Sequence, residues 1–253
     1  MDKPLRLGGM ALANGLLVHG PTHWAAAIRG ADGTIETASG RKPKLRGLAR
    51  DIPGLRGLAG MGEALVVIPL VKRALPAAKL PFESRTVLAA TGAAALAAGV
   101  LRRRGADGGA LAVSLLPSLL ALRVGEVAAY HGAEHKTIGA YESGTEDHTK
   151  EHDRCGSHLM APLLAANLAG AALLRRSGEK PGQFAQSAVS AASFGAAVEV
   201  FAWSERHPDT ATARALRVPG HELQRVLGTR EPSDEQLEVG RAALDEILRA
   251  EGV

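Results

Sequence analysis

The chain contains few aromatic residues and a single cysteine. Phe, Tyr and Trp make up 3% of its 253 residues, whereas a core assembled in water usually contains more of them. Basic residues interleaved with aromatic ones, which mark a single-stranded nucleic-acid surface, are also absent, so we expect no nucleic-acid partner. The lone thiol of Cys155 excludes an intramolecular disulfide and fits a reducing compartment or a role in a site.

The chain is mildly basic, and we expect no cleaved leader at its start. The net charge is +4 at pH 7, and the densest basic run is Arg41-Lys-Pro-Lys-Leu-Arg46. We interpret this basicity as favouring an anionic membrane surface over nucleic acid. The first residues, Met1-Asp-Lys-Pro-Leu-Arg6, lack the apolar core of a cleaved signal peptide. No internal repeat is evident either.

Small apolar residues are abundant instead. Ala, Leu, Val and Gly dominate the composition, and small residues are favoured where helices pack closely inside a bilayer. An Ala-biased genome would give the same composition. Residues 57–75 predict an interfacial or partly inserted helix. Four later apolar runs are candidates for spanning helices or, alternatively, for a buried soluble bundle, although two fall short of the ~20 residues that a bilayer requires. They cover residues 86–101, 109–129, 157–174 and 184–203.

The two ends of the chain have a different character. Within residues 5–36, Trp24–Arg29 predicts a strand, Ala31-Asp-Gly33 a hairpin turn and residues 34–37 the returning strand. Residues 38–56 are basic and rich in Gly and Pro, which predicts a linker.

The C-terminal end alternates apolar and polar residues at helical spacing, a pattern typical of soluble amphipathic helices. Residues 219–230 predict a short amphipathic stretch, and Ser233 with Gln236 forms a capping box that opens a docking helix up to Ala250.

These patterns predict a mainly α protein, a multi-pass helical membrane bundle with a small N-terminal β element and a C-terminal amphipathic helix. We divide the chain into residues 1–56, the β element and linker, 57–204, the membrane region, and 205–253, the soluble tail. The bilayer is the expected partner. Protein partners are left open, and a homo-oligomer is compatible with this arrangement.

Basic residues in the short connections bear on topology. Arg102–Arg104 and Arg175–Arg176 would lie on one side of the membrane, with the segment 131–155 and both termini on the other. The positive-inside rule does not favour one orientation, because basic residues are also numerous near the termini. We expect a cell-membrane protein with its termini and this segment in the cytoplasm.

The densest chemistry lies in His131-Gly-Ala-Glu-His-Lys136. If residues 127–138 are helical, His131 and His135 lie about 40° apart on the helical wheel and one turn apart along it. Two imidazoles at this spacing can bind one divalent ion, for which Zn²⁺ is our expectation. Glu134 lies beside them as a candidate general base, in the inverse order of the common zincin motif.

Further ligands are expected downstream. Glu142 would lie about 16 Å along the helix from His131, so it could join only if the helix breaks, for instance at Gly139. His152 and Cys155 have a common ligand spacing and suit Zn²⁺. The nearby His148 and His158 make the ligand count ambiguous.

Three interpretations stay open for this segment. It could be a metal-dependent hydrolase site, a closed structural metal site or polar interface in a non-enzymatic scaffold, or a thiol site in which His152 activates Cys155. Glu199, inside an apolar run, is a further candidate if that run spans a bilayer.

The same residues resemble a known bacterial family, domain of unknown function 1385. The family's His-Gly-Ala-Glu-His-Lys-x-x-x-Ala-Tyr-Glu motif is intact from His131 to Glu142, and its His-Pro-Arg-Cys-Gly-Thr motif is similar to residues 152–157. A tail motif is similar to residues 224–232, and Gly8-Gly-Met-Ala corresponds to its N-terminal motif. The resemblance covers nearly the whole chain.

The resemblance implies a multi-pass membrane protein described as a predicted metal-dependent enzyme without an established reaction. The chain departs from the family's pattern at Met10, Asn14 and His19, where the family has glutamine, glutamate and arginine. If the family's glutamate takes part in a site, its replacement by Asn14 in this chain removes or alters that contribution. The positions to which the resemblance and the motif point are His131, Glu134, His135, Lys136, Tyr141, Glu142, His152, Arg154, Cys155 and Asn14.

Overall fold

The fold is mainly helical with a four-stranded antiparallel sheet at its N-terminal end, as the computed structural model shows for residues 4–43, 52, 54–176 and 182–253. The strands are β1 (Gly8–Leu12), β2 (Gly15–His19), β3 (His23–Arg29) and β4 (Ile35–Arg41). The helices are α1 (Arg56–Ala74), α2 (Arg85–Arg103), α3 (Asp107–Ala121), α4 (Val127–Ser143), α5 (Met160–Arg176), α6 (Gln183–Arg206), α7 (Ala211–Leu223) and α8 (Asp234–Glu251).

The sheet is a meander in the order β1-β2-β3-β4. Its central strands are apolar at successive positions, because helices cover both of its faces. Leu16 and Val18 pack on α4 and α8 on one face. Leu17 and Ile28 pack on the other face against Val67 and its neighbours in α1.

We call the four strands together with α1, α4 and α8 the sheet region. Its core is closed, since Leu17 and Ile28 of the sheet and Ile247 of α8 are fully buried. The capping box of Ser233 and Gln236 opens α8 as predicted. The C-terminal helix α8 contacts β2, β3 and β4 of the N-terminal sheet.

The helices α2, α3, α5 and α6 form two antiparallel hairpins that we call the hairpin region, α2 with α3 and α5 with α6. Large apolar side chains point outward here, since Leu96 is 76% and Leu173 65% exposed. An ion pair between Arg175 and Asp107 joins the tips of the two hairpins. The tips therefore lie on the same side of the molecule.

Two helical segments among the described residues are long and apolar enough to cross a membrane, by length and composition alone. They are Gly156–Arg176 and Phe184–Arg206, and 6% and 17% of their most apolar windows are buried. The third candidate, α3, is a shorter apolar helix. The prediction of four spanning runs is therefore supported for two of them.

Several boundaries differ from those predicted. The run 109–129 is interrupted, because α3 ends at Ala121 and α4 begins at Val127. The prediction of a linker from residue 38 was wrong at its start, where β4 continues to Arg41 through pairing with β3. The rest of that linker, 44–51 and 53, lies outside the described residues, as do Met1–Lys3 and Lys180. The amphipathic stretch predicted from residue 219 begins earlier, because Pro219 lies inside α7.

Candidate metal centre

Helix α4 carries the central motif and runs without a break to Ser143, where Gly144 ends it with a positive φ of 66°. The break considered at Gly139 does not occur. That glycine instead allows a close approach, since a Cβ there would lie 2.5 Å from the ring of His148. The continuous helix stacks His131 and His135 one turn apart, with ring centroids separated by 4.3 Å.

Three side chains converge on one point. Ligand atoms of His131, His135 and Cys155 all lie within 4.8 Å of one another, and the Cys155 Sγ lies 3.4 Å from His131 Nε2. Cys155 comes from the loop that precedes α5, where its sulfur accepts a hydrogen bond from the Ser157 amide. The two imidazoles and the thiol match the nitrogen and sulfur ligands that Zn²⁺ prefers.

Backbone carbonyls hold both imidazoles in one tautomer. His131 Nδ1 lies 2.8 Å from the Gly228 carbonyl oxygen, and His135 Nδ1 lies 2.6 Å from that of Lys150. A carbonyl oxygen only accepts, so each Nδ1 carries the proton and each Nε2 keeps its lone pair. Histidines that bind metals are usually held in this way by a second layer of residues.

The glutamate of the motif is buried beside this cluster. Glu134 Oε2 has no hydrogen-bond partner among the described residues. Burial raises the pKa of Glu134 to about 7, opposed by His131 and reinforced by Cys155. Strand β1 closes over the carboxyl group, because a Cβ on Gly9 would lie 2.3 Å from it. A buried carboxyl group without a partner is costly unless a ligand or ion compensates it.

The protonation states of His135 and Cys155 also suit a metal ion. Burial, and then the nearby His131, lowers the pKa of His135 to about 2, so its ring is neutral. Burial raises the pKa of the Cys155 thiol, which is protonated at neutral pH without a cation. A neutral imidazole and a thiol that loses its proton on binding are ordinary zinc ligands.

His152 does not join this cluster, although its ring lies 5.5 Å from that of His135. Its Nε2 faces Glu142 Oε2 at 3.3 Å, and its Nδ1 accepts a hydrogen bond from the Arg154 amide. Glu142 also pairs with the Arg154 guanidinium. Burial raises the pKa of Glu142, but the hydrogen bond to His152 and the charge of Arg154 lower it by more. The net shift of this pKa is therefore downward. These three residues form a separate ionic cluster.

The remaining predicted positions connect elements outside the metal cluster. Lys136 pairs with Glu231 at 2.6 Å, and the Tyr141 hydroxyl accepts a hydrogen bond from the Leu5 amide. Asn14 joins the turn between β1 and β2 to the segment after α1 through the Ala77 carbonyl and the Lys79 amide. Glu199 accepts a hydrogen bond from the Gly54 amide.

Residues of the C-terminal tail motif support the site, a role that sequence reasoning missed. Gln224 is fully buried and bonds to both the amide and the carbonyl of His152, as well as to the Ser157 hydroxyl. It opens a π-helical turn, Gln224–Gly228, whose last carbonyl holds His131. Such turns are frequent at functional sites. The tail motif was the available signal, but its contacts are remote in sequence.

A cavity of about 610 Å³ opens onto the cluster. Its polar wall comes from α4 and the loop 152–157, and its apolar wall comes from α2, α3 and the turn at Pro81-Phe82. Strand β1 forms the third wall. The volume lies within the usual range of small-molecule pockets.

Comparisons with known proteins support the family to which the motifs point, over the second half of the chain. A family model described as "Protein of unknown function (DUF1385)" matches residues 113–250. The chain is also 30% identical over 131 residues to "Uncharacterized protein YqhQ" of Bacillus subtilis (strain 168). That alignment covers 49% of this chain and 41% of the relative, so the chain spans less than half of the relative's length. No solved structure matches the chain.

Proposed function

The chain belongs to the DUF1385 family, and we propose that it is a membrane-associated, metal-dependent hydrolase. His131 and His135 through Nε2 and Cys155 through Sγ would hold one divalent ion, with zinc as the best match to these ligands. The proposal rests on one observation above all. Three ligand atoms within 4.8 Å of one another lie beside a buried carboxylate oxygen that has no hydrogen-bond partner among the described residues.

Glu134 is the candidate general base. A bound zinc ion would supply Lewis acidity and lower the pKa of a water molecule at its open position. Glu134 would take a proton from the attacking water and pass it to the leaving group, for which its raised pKa is suited. Burial beneath β1 keeps this carboxylate away from bulk water.

The alternative of a closed structural site is less well supported. A structural zinc site normally has four protein ligands, whereas a catalytic one has three and an open position. His152, the expected fourth ligand, turns its Nε2 to Glu142 instead. The cluster also faces the cavity, so a fourth position would be accessible to substrate.

Thiol chemistry is a weaker alternative. The residue beside the Cys155 sulfur is His131, not His152. A nucleophilic cysteine normally has a lowered pKa, whereas burial raises that of Cys155.

The exposed apolar side chains of the hairpin region support our proposal that the protein is a multi-pass membrane protein. Polar side chains of these helices bond to carbonyls one turn earlier, as Thr91 does to Val87 and Ser114 to Ala110. This bonding satisfies hydroxyl groups where no water is available. With the tips on one side, the site and the chain ends would lie on the other, which we place in the cytoplasm.

Metal content is the direct test. Detergent-purified full chain should contain about one zinc per chain by elemental analysis. His131→Ala/His135→Ala should contain none, while the neighbouring His148→Ala should keep its zinc. Glu134→Gln should keep the metal and lower hydrolysis of p-nitrophenyl butyrate by about 100- to 10,000-fold. An equal zinc content in all variants would refute the site.

A further inference from the structure

The cavity at the metal cluster has one polar and one apolar wall. Glu134, His135 and Cys155 lie on the polar side, while Val87 of α2 and Leu122, just after α3, lie on the apolar side. A ligand that fills this cavity therefore needs a hydrocarbon part joined directly to a polar reacting group. This is the shape of an amphiphile with one chain.

The apolar wall is also the inner side of a hairpin whose outer side is exposed and apolar. Leu88 and Leu96 of α2 and Leu116 of α3 are more than half exposed. Phe82, which lines the cavity, is 46% exposed and thus reaches the surface beside this hairpin. A chain could pass from the bilayer into the cavity here without crossing water.

The charges favour an uncharged reacting group. Arg154, the one Lys or Arg among the described lining residues, already pairs with Glu142 and donates to the Leu7 carbonyl at 2.8 Å. The charge of a zinc ion would be balanced by the Cys155 thiolate and the Glu134 carboxylate. An anionic headgroup would find no unpaired cation among these residues, whereas an ester or amide carbonyl needs none.

We propose, resting on the metal-dependent function above, that the cavity binds the hydrocarbon chain of an uncharged acyl ester or amide that enters from the bilayer. Water adds to the acyl carbon, a new C–O bond forms and the bond to the leaving oxygen or nitrogen breaks. Glu134 takes the proton of the water and delivers it to the leaving group. The products are a fatty acid and an alcohol or amine, without any oxidant or reductant.

Photocrosslinking tests the chain-binding cavity. The chain is reconstituted in nanodiscs and supplied with a palmitoyl group that carries a diazirine, either as a methyl ester or within phosphatidylcholine. We expect peptide mapping to find crosslinks at the lining residues Val87 and Leu122. Labelling by the phosphatidylcholine would identify bilayer lipid as the source, and labelling by the methyl ester alone would identify a free single-chain ester. Both results support the hydrocarbon chain.

Variants separate the cavity from the metal. Ala121→Trp fills the cavity and should lose these crosslinks, while Leu96→Trp adds the same bulk on the outer face and should keep them. Helical circular dichroism and zinc content establish that both variants fold, and Ala121→Gly/Leu122→Trp replaces the first variant if it does not. His131→Ala/His135→Ala should lose zinc but keep the crosslinks, so the two proposals can fail separately. Crosslinks confined to outer-face residues such as Leu96 in every variant would overturn the cavity proposal.

Discussion

The sheet region and the hairpin region use similar apolar residues in opposite ways. In the sheet region, side chains such as Leu17 and Ile247 are fully buried between strands and helices. In the hairpin region, side chains such as Leu96 and Leu173 point outward. The first region is stabilised by burial away from water, whereas the second exposes large apolar side chains, as surfaces that contact a membrane or a partner do.

The metal cluster lies where these regions meet. Its ligands come from α4 of the sheet region and from the loop that leads into α5, and its cavity reaches α2 and α3. We propose that the sheet region holds the candidate ligands in fixed positions, while the hairpin region gives an apolar substrate access to the cavity. The following predictions test this division, beginning with the largest effect.

The loss of stability on truncating a leucine should differ strongly between the two regions, and this is the largest effect that we expect. Leu17→Ala removes a fully buried side chain and should lower the free energy of unfolding by about 2–5 kcal/mol. Leu96→Ala removes a side chain that is 76% exposed and should change it by less than about 0.5 kcal/mol. Urea titration of the detergent-solubilised protein measures both. Equal losses would abolish the distinction.

Cysteine labelling tests where the outer face of the hairpins lies. Leu173→Cys should react little with a membrane-impermeant maleimide added to both sides of proteoliposomes, because lipid covers this face. Val253→Cys, at the 74% exposed C-terminus, should react readily. Similar labelling of the two cysteines would mean that α5 faces water.

Gln224 is a positioning residue whose loss should weaken the site without removing a ligand. Gln224→Leu leaves the His152 backbone and the Ser157 hydroxyl without their bonds. We expect zinc affinity to fall about 10- to 100-fold, as for other residues that support metal ligands. Competition with a zinc chelator measures this, and Glu222→Gln at an exposed position in the last turn of α7 is the control. Unchanged affinity would show that the loop holds Cys155 without help from the tail.

The number of protons released when zinc binds should show whether the Cys155 thiol is protonated before binding. Since burial raises the pKa of Cys155, the thiol is protonated at pH 7 and must lose its proton when zinc binds. Isothermal titration of Glu134→Gln, which lacks the carboxyl group whose pKa is about 7, in two buffers of different ionisation enthalpy should give about one proton per zinc. The number should fall as the pH rises through the pKa of the thiol. No release at pH 7 would argue against Cys155 as a ligand.

Local patterns in the sequence predicted much of this structure. The apolar runs located α1, α2, α5 and α6 to within a few residues, and the spacing of His131 and His135 predicted that they meet. The basic, Gly- and Pro-rich composition of residues 38–56 indicated a linker, whereas pairing with β3 extends the strand through residues 38–41. Tertiary hydrogen bonding overrode local propensity at these residues.

The surroundings of the site could not be derived in this way. Gly228 lies 97 residues from His131, and Gln224 lies 72 residues from His152. No periodicity relates such positions. The spacing of His152 and Cys155 also suggested that both are ligands, but spacing does not give the direction of an imidazole. That direction depends on Glu142, which a continuous helix α4 places beside His152.

X-ray absorption at the zinc edge of the reconstituted chain tests the central claim most directly. We predict one sulfur at about 2.3 Å, two imidazole nitrogens at about 2.0–2.1 Å and one further oxygen ligand. The sulfur signal should disappear in Cys155→Ala, and the spectrum should be unchanged in His148→Ala. A zinc shell with three imidazoles and one sulfur would show a closed structural site, and a shell without sulfur would contradict the proposed ligands.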